Sequence, residues 1–120
     1  MNRPPRLRFP KAARLAQSSE FHRVRTKGEA QHGKLMVLGV LKGVDDKPAR
    51  VGFVTSKKVG GAVTRNLIRR RLREIIRLSR PQIVNGVWLV LVAKPRAAKA
   101  TLAGLRDEWV ALAKRAGVMA

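Results

Sequence analysis

The chain has 120 residues, with 27 Lys and Arg against 7 Asp and Glu, a formal net charge of +20 and no cysteine. That charge lies far beyond the magnitude of about 2–8 usual for a small soluble domain, while 45% hydrophobic content is too rich for a disordered basic tail. The composition fits one domain of ordinary size and excludes a disulfide scaffold and a thiolate metal site. The longest apolar stretch, residues 87–93, is far shorter than the roughly 20 residues that cross a bilayer. The N-terminus begins Met-Asn-Arg-Pro-Pro-Arg and has no continuous apolar segment of the secretory type, so a cytoplasmic protein is expected.

Residues 1–17 carry Pro4, Pro5 and Pro10 among basic side chains, and a flexible basic arm is expected there, ahead of a single domain over residues 18–120. Ser18 or Ser19 is placed to cap a short helix in which Phe21 and Val24 stand three apart and Gly28 is the stop signal. Residues 34–41 are apolar and β-leaning, and the turn-rich residues 43–48 separate them from a second strand over 50–56. That spacing predicts an antiparallel hairpin with a long loop. Gly60 and Gly61 break the pattern. Residues 62–80 have helical periodicity, and Pro81 ends it. The run Val-Trp-Leu-Val-Leu-Val-Ala at 87–93 suits the centre of a sheet. Leu102, Leu105, Trp109, Leu112 and Ala116 then repeat at threes and fours, giving an amphipathic helix closed by Gly117. The expected order is helix, strand, strand, helix, strand, helix.

The helix over 62–80 carries the densest charge. At about 100° per residue, Ile68, Leu72, Ile75 and Ile76 share one arc, while Arg65, Arg69, Arg70, Arg73, Arg77 and Arg80 fill the adjacent one. Glu74 is the single acid among them. Intrahelical pairing, for instance Arg70 with Glu74 at i, i+4, offsets one arginine and leaves the rest to repel one another. A polyanion relieves that repulsion, and planar guanidinium groups fork onto phosphate oxygens. Just upstream, Gly60-Gly61 allows a tight turn before a helix N-terminus with Lys57 and Lys58 beside it. This arrangement suits an anion but lacks the spacing of a Walker loop, and a plain turn explains the glycines as well.

Catalytic groups are scarce. The acids are Glu20, Glu29, Asp45, Asp46, Glu74, Asp107 and Glu108, and no pair has metal-ligand spacing. Asp45 and Asp46 suit a turn, and Asp107 and Glu108 diverge by about 100° around their helix. His22 and His32 are the only histidines and fall on different elements, whereas a general base needs a partner within hydrogen-bond reach. The patterned positions of Trp88 and Trp109 place both in the core. Phe53 faces either core or ligand. Phe21, on the basic N-terminal helix, either stacks on an unpaired base or packs inward with Val24. The chain reads as a nucleic-acid binder with no active site of its own.

The run Arg50-Val-Gly-Phe-Val-Thr-Ser56, continuing Lys57-Lys58-Val59-Gly60 and then Ala62-Val63-Thr64-Arg65-Asn66 into a basic helix, resembles the protein subunit of bacterial ribonuclease P. The resemblance runs from about Leu7 to Gly117. It implies an α+β fold: a single domain with a small mixed sheet packed by helices and a left-handed βαβ crossover, ribosomal protein S5 domain 2-like. It also implies a catalytic RNA subunit as partner, precursor tRNA as substrate, and Mg²⁺-dependent removal of the 5′ leader, with Mg²⁺ held with the RNA and no cofactor on the protein alone. The site residues carried over are Phe21 for the leader, the strand-end triplet Ser56, Lys57 and Lys58, and Arg65, Asn66, Arg69, Arg70 and Arg73 on the signature helix. Three positions depart from the family pattern. Leu67 stands where a second arginine is expected, Arg25 replaces an aromatic on the first helix, and Gly39 replaces one on the first long strand. The implied stacking platform is thinner, and leader binding leans more on charge.

Three other readings compete. A basic RNA-binding protein of ribosomal type has the same charge and size. A metal-independent nuclease would use His22 and His32. A DNA-binding factor of the common kind would need a helix-turn-helix pair before the basic helix, and none is present.

Overall fold

In the computed structural model, which describes residues 10–120, the apolar run near residue 90 becomes an inner strand. Residues Ser18–Lys27 form α1, Glu29–His32 β1, Met36–Leu41 β2, Arg50–Val54 β3, Ala62–Ser79 α2, Trp88–Ala93 β4 and Leu102–Arg115 α3. The sheet order is β1-β2-β4-β3, with β4 antiparallel to β2 and parallel to β3. Helix α2 therefore links two adjacent parallel strands, and the domain is an α+β fold with a mixed sheet, as the resemblance implies.

The expected hairpin of the two early strands does not form. A strand that is apolar on both faces belongs between two others, and β4 pairs with β2 on one side and β3 on the other, separating them. Strand β1 is an element the sequence did not signal: Glu-Ala-Gln-His has no apolar alternation, and it adds only an edge beside β2.

Side chains alternate across the sheet. Leu38, Val51, Leu89 and Leu91 point to one face, where they meet Ile68, Leu72 and Ile76 of α2 and Leu105, Trp109 and Leu112 of α3 in the main core. The apolar face of α2 is thus the one its periodicity marks. Phe53 also packs on this core. Trp109 is fully buried, and its indole N–H donates to Ser79 Oγ at 3.1 Å. The opposite face carries a smaller cluster of Leu15, Val24 and Val90 with Phe21, Leu41, Val54, Trp88 and Val92, on which α1 lies.

The described part of the expected arm, residues 10–17, is held against the fold. Lys11–Ala13 make one 3-10 turn, Ala13 and Leu15 are buried, and the Leu15 amide donates to Val51 O at 3.0 Å along the outer edge of β3. Apolar side chains at 13 and 15, with an unpaired strand edge to bond, outweigh the chain entropy of a free arm. The remaining arm positions, 1–9, lie outside the described residues. The cap of α1 is also not a serine. Gln17 is the N-cap, Ser18 begins the helix, and the Glu20 carboxylate accepts the Ala16 and Gln17 amides at 3.0 Å each.

Two carboxylates act as braces. Glu108 on α3 accepts the backbone amides of Lys34, Leu35 and Met36 at 2.8, 2.8 and 2.9 Å, holding the β1–β2 turn against the helix. Glu20 also takes Arg50 Nη1 at 2.6 Å, tying α1 to β3. Burial works against Glu20 ionisation, but the Gln17 and Ala16 amides and the Arg50 guanidinium outweigh it and hold the carboxyl below its ordinary range.

Charge-assisted hydrogen bonds contribute about 1.5–3 kcal/mol each, so Glu108→Ala, which orphans three amides beside solvent, is expected to cost about 2–4 kcal/mol in urea unfolding. Glu108→Gln, which keeps one acceptor oxygen, is expected to cost less. A lowered folded-state pKa gives stability that is present above the unfolded carboxylate pKa and lost as pH falls through the folded one. Glu20→Gln is therefore expected to be less stable than wild type at neutral pH, with the gap closing as pH drops below about 4, as read by thermal unfolding across pH.

Candidate nucleic-acid interface

Helix α1 crosses the second face of the sheet and divides it. Val24 lies over Gly39, whose added Cβ would come 3.2 Å from Val24 Cγ1. The Phe21 ring lies directly on Gly52, where a Cβ would fall 2.5 Å from Cε1 and Cζ; only glycine admits the ring there. Phe21 thus takes the inward-packing reading, in one apolar cluster with Val24, and its ring also lines a groove.

That groove has a volume of about 580 Å³ and lies between α1 and the sheet. Its floor is Val37, Gly39, Val54, Val90 and Val92, and Phe21, Val24 and Arg25 line the helix side. A shallower hollow bordered by Ser18, Ser19, His22, Phe21, Arg25 and Val54 adjoins it. Both positions where the sequence departs from the aromatic pattern, Arg25 and Gly39, open on this groove. Arg25 Nη2 lies 3.0 Å from His22 Nδ1, and the guanidinium, which can only donate, makes the ring nitrogen the acceptor.

Trp88 differs from expectation. It is half-buried on the α1 face of the sheet, with the guanidinium carbons of Arg23 and Arg50 at 5.2 and 5.3 Å from its ring centroid. Its apolar strand pattern marked two buried faces without distinguishing the main core from this thinner layer.

Past the end of β3, Lys57–Val59 form a 3-10 turn on which Ser56, Lys57 and Lys58 are exposed. Gly60 follows with φ of 151°, a conformation reserved for glycine, and sets the entry to α2. The arginines of α2 then take distinct roles. Arg69 Nη2 donates to Thr55 Oγ1 at 2.7 Å, and its Nη1 lies 3.4 Å from Asn66 Oδ1, so its guanidinium is fixed beside the end of β3. Thr55 is the one buried polar residue among the described residues, and nothing in its sequence context marked it as this anchor. Arg70 is exposed. Arg71 donates to Ala100 O at 3.0 Å and serves the fold. Arg77, not Arg70, takes Glu74, at 3.0 and 2.5 Å, and that hydrogen bond holds the Glu74 carboxyl below its ordinary range. Arg73 is drawn down by burial and then by the neighbouring Arg14 and Arg69 charges. Leu67 is partly exposed beside Asn66.

The predicted residues therefore fall in two places. Phe21 belongs to the groove; Ser56, Lys57, Lys58, Arg65, Asn66, Arg69, Arg70 and Arg73 belong to the turn and basic helix that follow β3. His22 borders the groove mouth, whereas His32 ends β1. Among the described residues, no three His, Asp or Glu side chains gather in a way that could hold a metal ion, and no helix is long and apolar enough to cross a membrane.

Comparison with known proteins places this arrangement. The model of the family described as Ribonuclease P matches residues 9–117. The ribonuclease P protein component of Gluconacetobacter diazotrophicus is 40% identical over 109 residues, covering 90% of this chain and 94% of that protein. The corresponding component of Syntrophomonas wolfei is 36% identical over 110 residues, covering 92% of each. Among solved structures, the Staphylococcus aureus RNase P protein superposes with a TM-score of 0.84 at 26% identity, covering 92% of this chain and all of that one. A family match across nearly the whole domain, supported by relatives of matching length, leads to one conclusion: the chain belongs to the ribonuclease P protein family.

Proposed function

We propose that this chain, as the protein subunit of a tRNA-processing endoribonuclease, holds the 5′ leader of precursor tRNA in the groove beside α1 and binds the catalytic RNA along α2. The observation that carries this reading is the separation of an apolar groove from an arginine face in which Glu74, engaged by Arg77, is the only acid. A groove floored by valines and glycine and edged by Phe21 and Arg25 suits an extended single strand, whose bases stack on apolar and aromatic surface while the backbone meets a cation. Double-helical or folded RNA presents phosphates in rows, which matches guanidinium groups repeating along one side of a helix.

The chemistry is assigned to the RNA. Hydrolysis of a phosphodiester needs an activated water and stabilisation of the leaving oxygen, and the described residues gather no carboxylate or histidine cluster to supply them. Mg²⁺ in this reading is held with the RNA, and the protein contributes positioning and charge neutralisation in the cytoplasm. With Arg25 and Gly39 in the groove, leader affinity rests more on phosphate contact than on ring stacking.

Two results test this. Precursor tRNA incubated at low Mg²⁺ is expected to be cut at the mature 5′ end when the cognate catalytic RNA and this protein are both present, and to stay intact with the protein alone. A protein without effect at any salt concentration would return the ribosomal-type reading to the front. Separately, Arg65→Ala and Arg69→Ala are each expected to lower the slope of log K for the catalytic RNA against log salt by about 0.7–0.9 while keeping the folded circular dichroism signal. Unfolding of either variant would give that arginine a structural role instead.

A further inference from the structure

Helix α1 splits its face of the sheet, and the groove takes up only one side. The groove floor runs through the cross-strand row Val37, Val92 and Val54. The helix lies on the next row, with Val24 at Gly39 and Phe21 at Gly52. Two residues advance a strand by about 6.6 Å and return to the same face, so the row beyond α1 carries Leu41, Trp88 and Arg50. A half-buried tryptophan thus stands on the side of α1 away from the groove. Its ring has the Arg23 and Arg50 guanidinium carbons at 5.2 and 5.3 Å from the centroid, within cation–π range. The two arginines differ in what else holds them. Arg50 is committed to the fold through Glu20 and Arg14 O. Arg23 is exposed, and among the described residues the ring is its one contact of this kind.

We infer that Trp88 and Arg23 form a second single-strand RNA subsite beyond α1, where an unpaired base stacks at the indole and its phosphate meets Arg23. Arg50 is the positioning residue that holds the ring from within the fold. A buried indole N–H usually finds a partner, yet Trp88 Nε1 has none among the described residues, so hydrogen bonding inside the fold does not account for a tryptophan here. The surroundings favour a polyanion. Leu41, at the β2 end of the same row, lines a hollow of about 280 Å³ edged by Lys27 and Lys42, with Glu29 as its one acid. Glu20 is already engaged by Arg50. Unpaired bases stack on aromatic rings and guanidinium planes while cations track the backbone. A duplex hides its base faces and offers only phosphates, so the ring selects a single strand. The inference rests on the RNA-binding reading and adds to it the half of the sheet face that the groove leaves unused.

The ligand chemistry is an unpaired nucleotide, supplied either by the leader beyond the groove or by a single-stranded part of the catalytic RNA. The first arm titrates the protein alone with a short oligoadenylate and reads tryptophan emission. Trp109 is fully buried in the main core, so quenching by base contact reports Trp88. This arm needs no ribonuclease P activity, and its failure is separable from that of the proposed function. Wild type is expected to be quenched. Trp88→Leu is expected to show no quench and to bind about fivefold or more weakly, the low end of the stacking range. Arg23→Ala is expected to lower the salt slope by about one phosphate contact; the position is exposed, which keeps the subsite testable if Trp88→Leu folds poorly. Arg106→Ala, exposed on α3 across the sheet, is expected to bind as wild type. The second arm follows the same emission with catalytic RNA alone, then with precursor tRNA carrying a short or a long leader. Quenching by catalytic RNA alone assigns the base to that RNA, and quenching that appears only with the long leader assigns it to the leader. The subsite is overturned if oligoadenylate leaves wild-type emission unchanged, whatever the affinity of Trp88→Leu, or if neither RNA reproduces the quench. Wild-type affinity in both Trp88→Leu and Arg23→Ala, or an equal loss in Arg106→Ala, overturns it as well.

Discussion

The structure depends on how 7 carboxylates are distributed among 27 basic side chains. Self-repulsion on this scale works against a compact state, and acids placed at random would relieve it everywhere a little. Here two of them, Glu20 and Glu108, sit at joints between elements. Glu108 closes the β1–β2 turn on α3, and Glu20 fastens α1 to β3 while capping its own helix. Glu74 engages Arg77 toward the end of α2. The first two turns of α2 and the Lys57–Lys58 turn before it contain no acid. The fold thus uses its negative charge to hold elements together and leaves one side cationic for a polyanionic partner.

The sheet supplies the second half of the design. One face is sealed by α2 and α3 over a core of large aliphatic side chains and Trp109. The other is covered by a single helix with only Phe21 and Val24 as its main apolar contacts, so part of a valine-rich surface stays open as the groove. Placing β4 between β2 and β3 matters to both faces. It puts β3 on the edge, where residues 14 and 15 bond to it, and it sends the β3–α2 connection past Thr55, where the first arginines of α2 emerge. Groove and basic helix consequently meet at the same end of this short strand, the groove floor at Val54 and the α2 anchor at Thr55.

Much of this was legible in residues whose pattern is local. The period of Ile68, Leu72, Ile75 and Ile76 gave α2 its buried side, and the run near residue 90 gave an inner strand. The Lys57-Lys58 to Arg65-Asn66 segment gave the family. What escaped depends on contacts far apart in sequence. Parallel pairing of β3 with β4 cannot be seen in either strand alone, so the neighbouring strands suggested a hairpin. Glu108 reaches a turn more than seventy positions away; its sequence neighbourhood shows only a polar helix. Strand β1 is polar because its outer edge and both faces meet solvent, with only Gln31 part-buried, so no alternation announces it. Trp88 sits in an apolar run that fits either layer of the sheet, and only the position of α1 decides which.

The central claim is that the two surfaces serve different RNAs, and the absence of native cysteine permits a direct measurement. A photo-crosslinker attached to Ser19→Cys marks the groove mouth. The same reagent on Val63→Cys, which is 84% exposed in the first turn of α2, marks the basic helix. In the complex with catalytic RNA and precursor tRNA, the account predicts crosslinks from position 19 to the 5′ leader and from position 63 to the catalytic RNA. Crosslinks from both positions to the same RNA, or the reverse assignment, would contradict it.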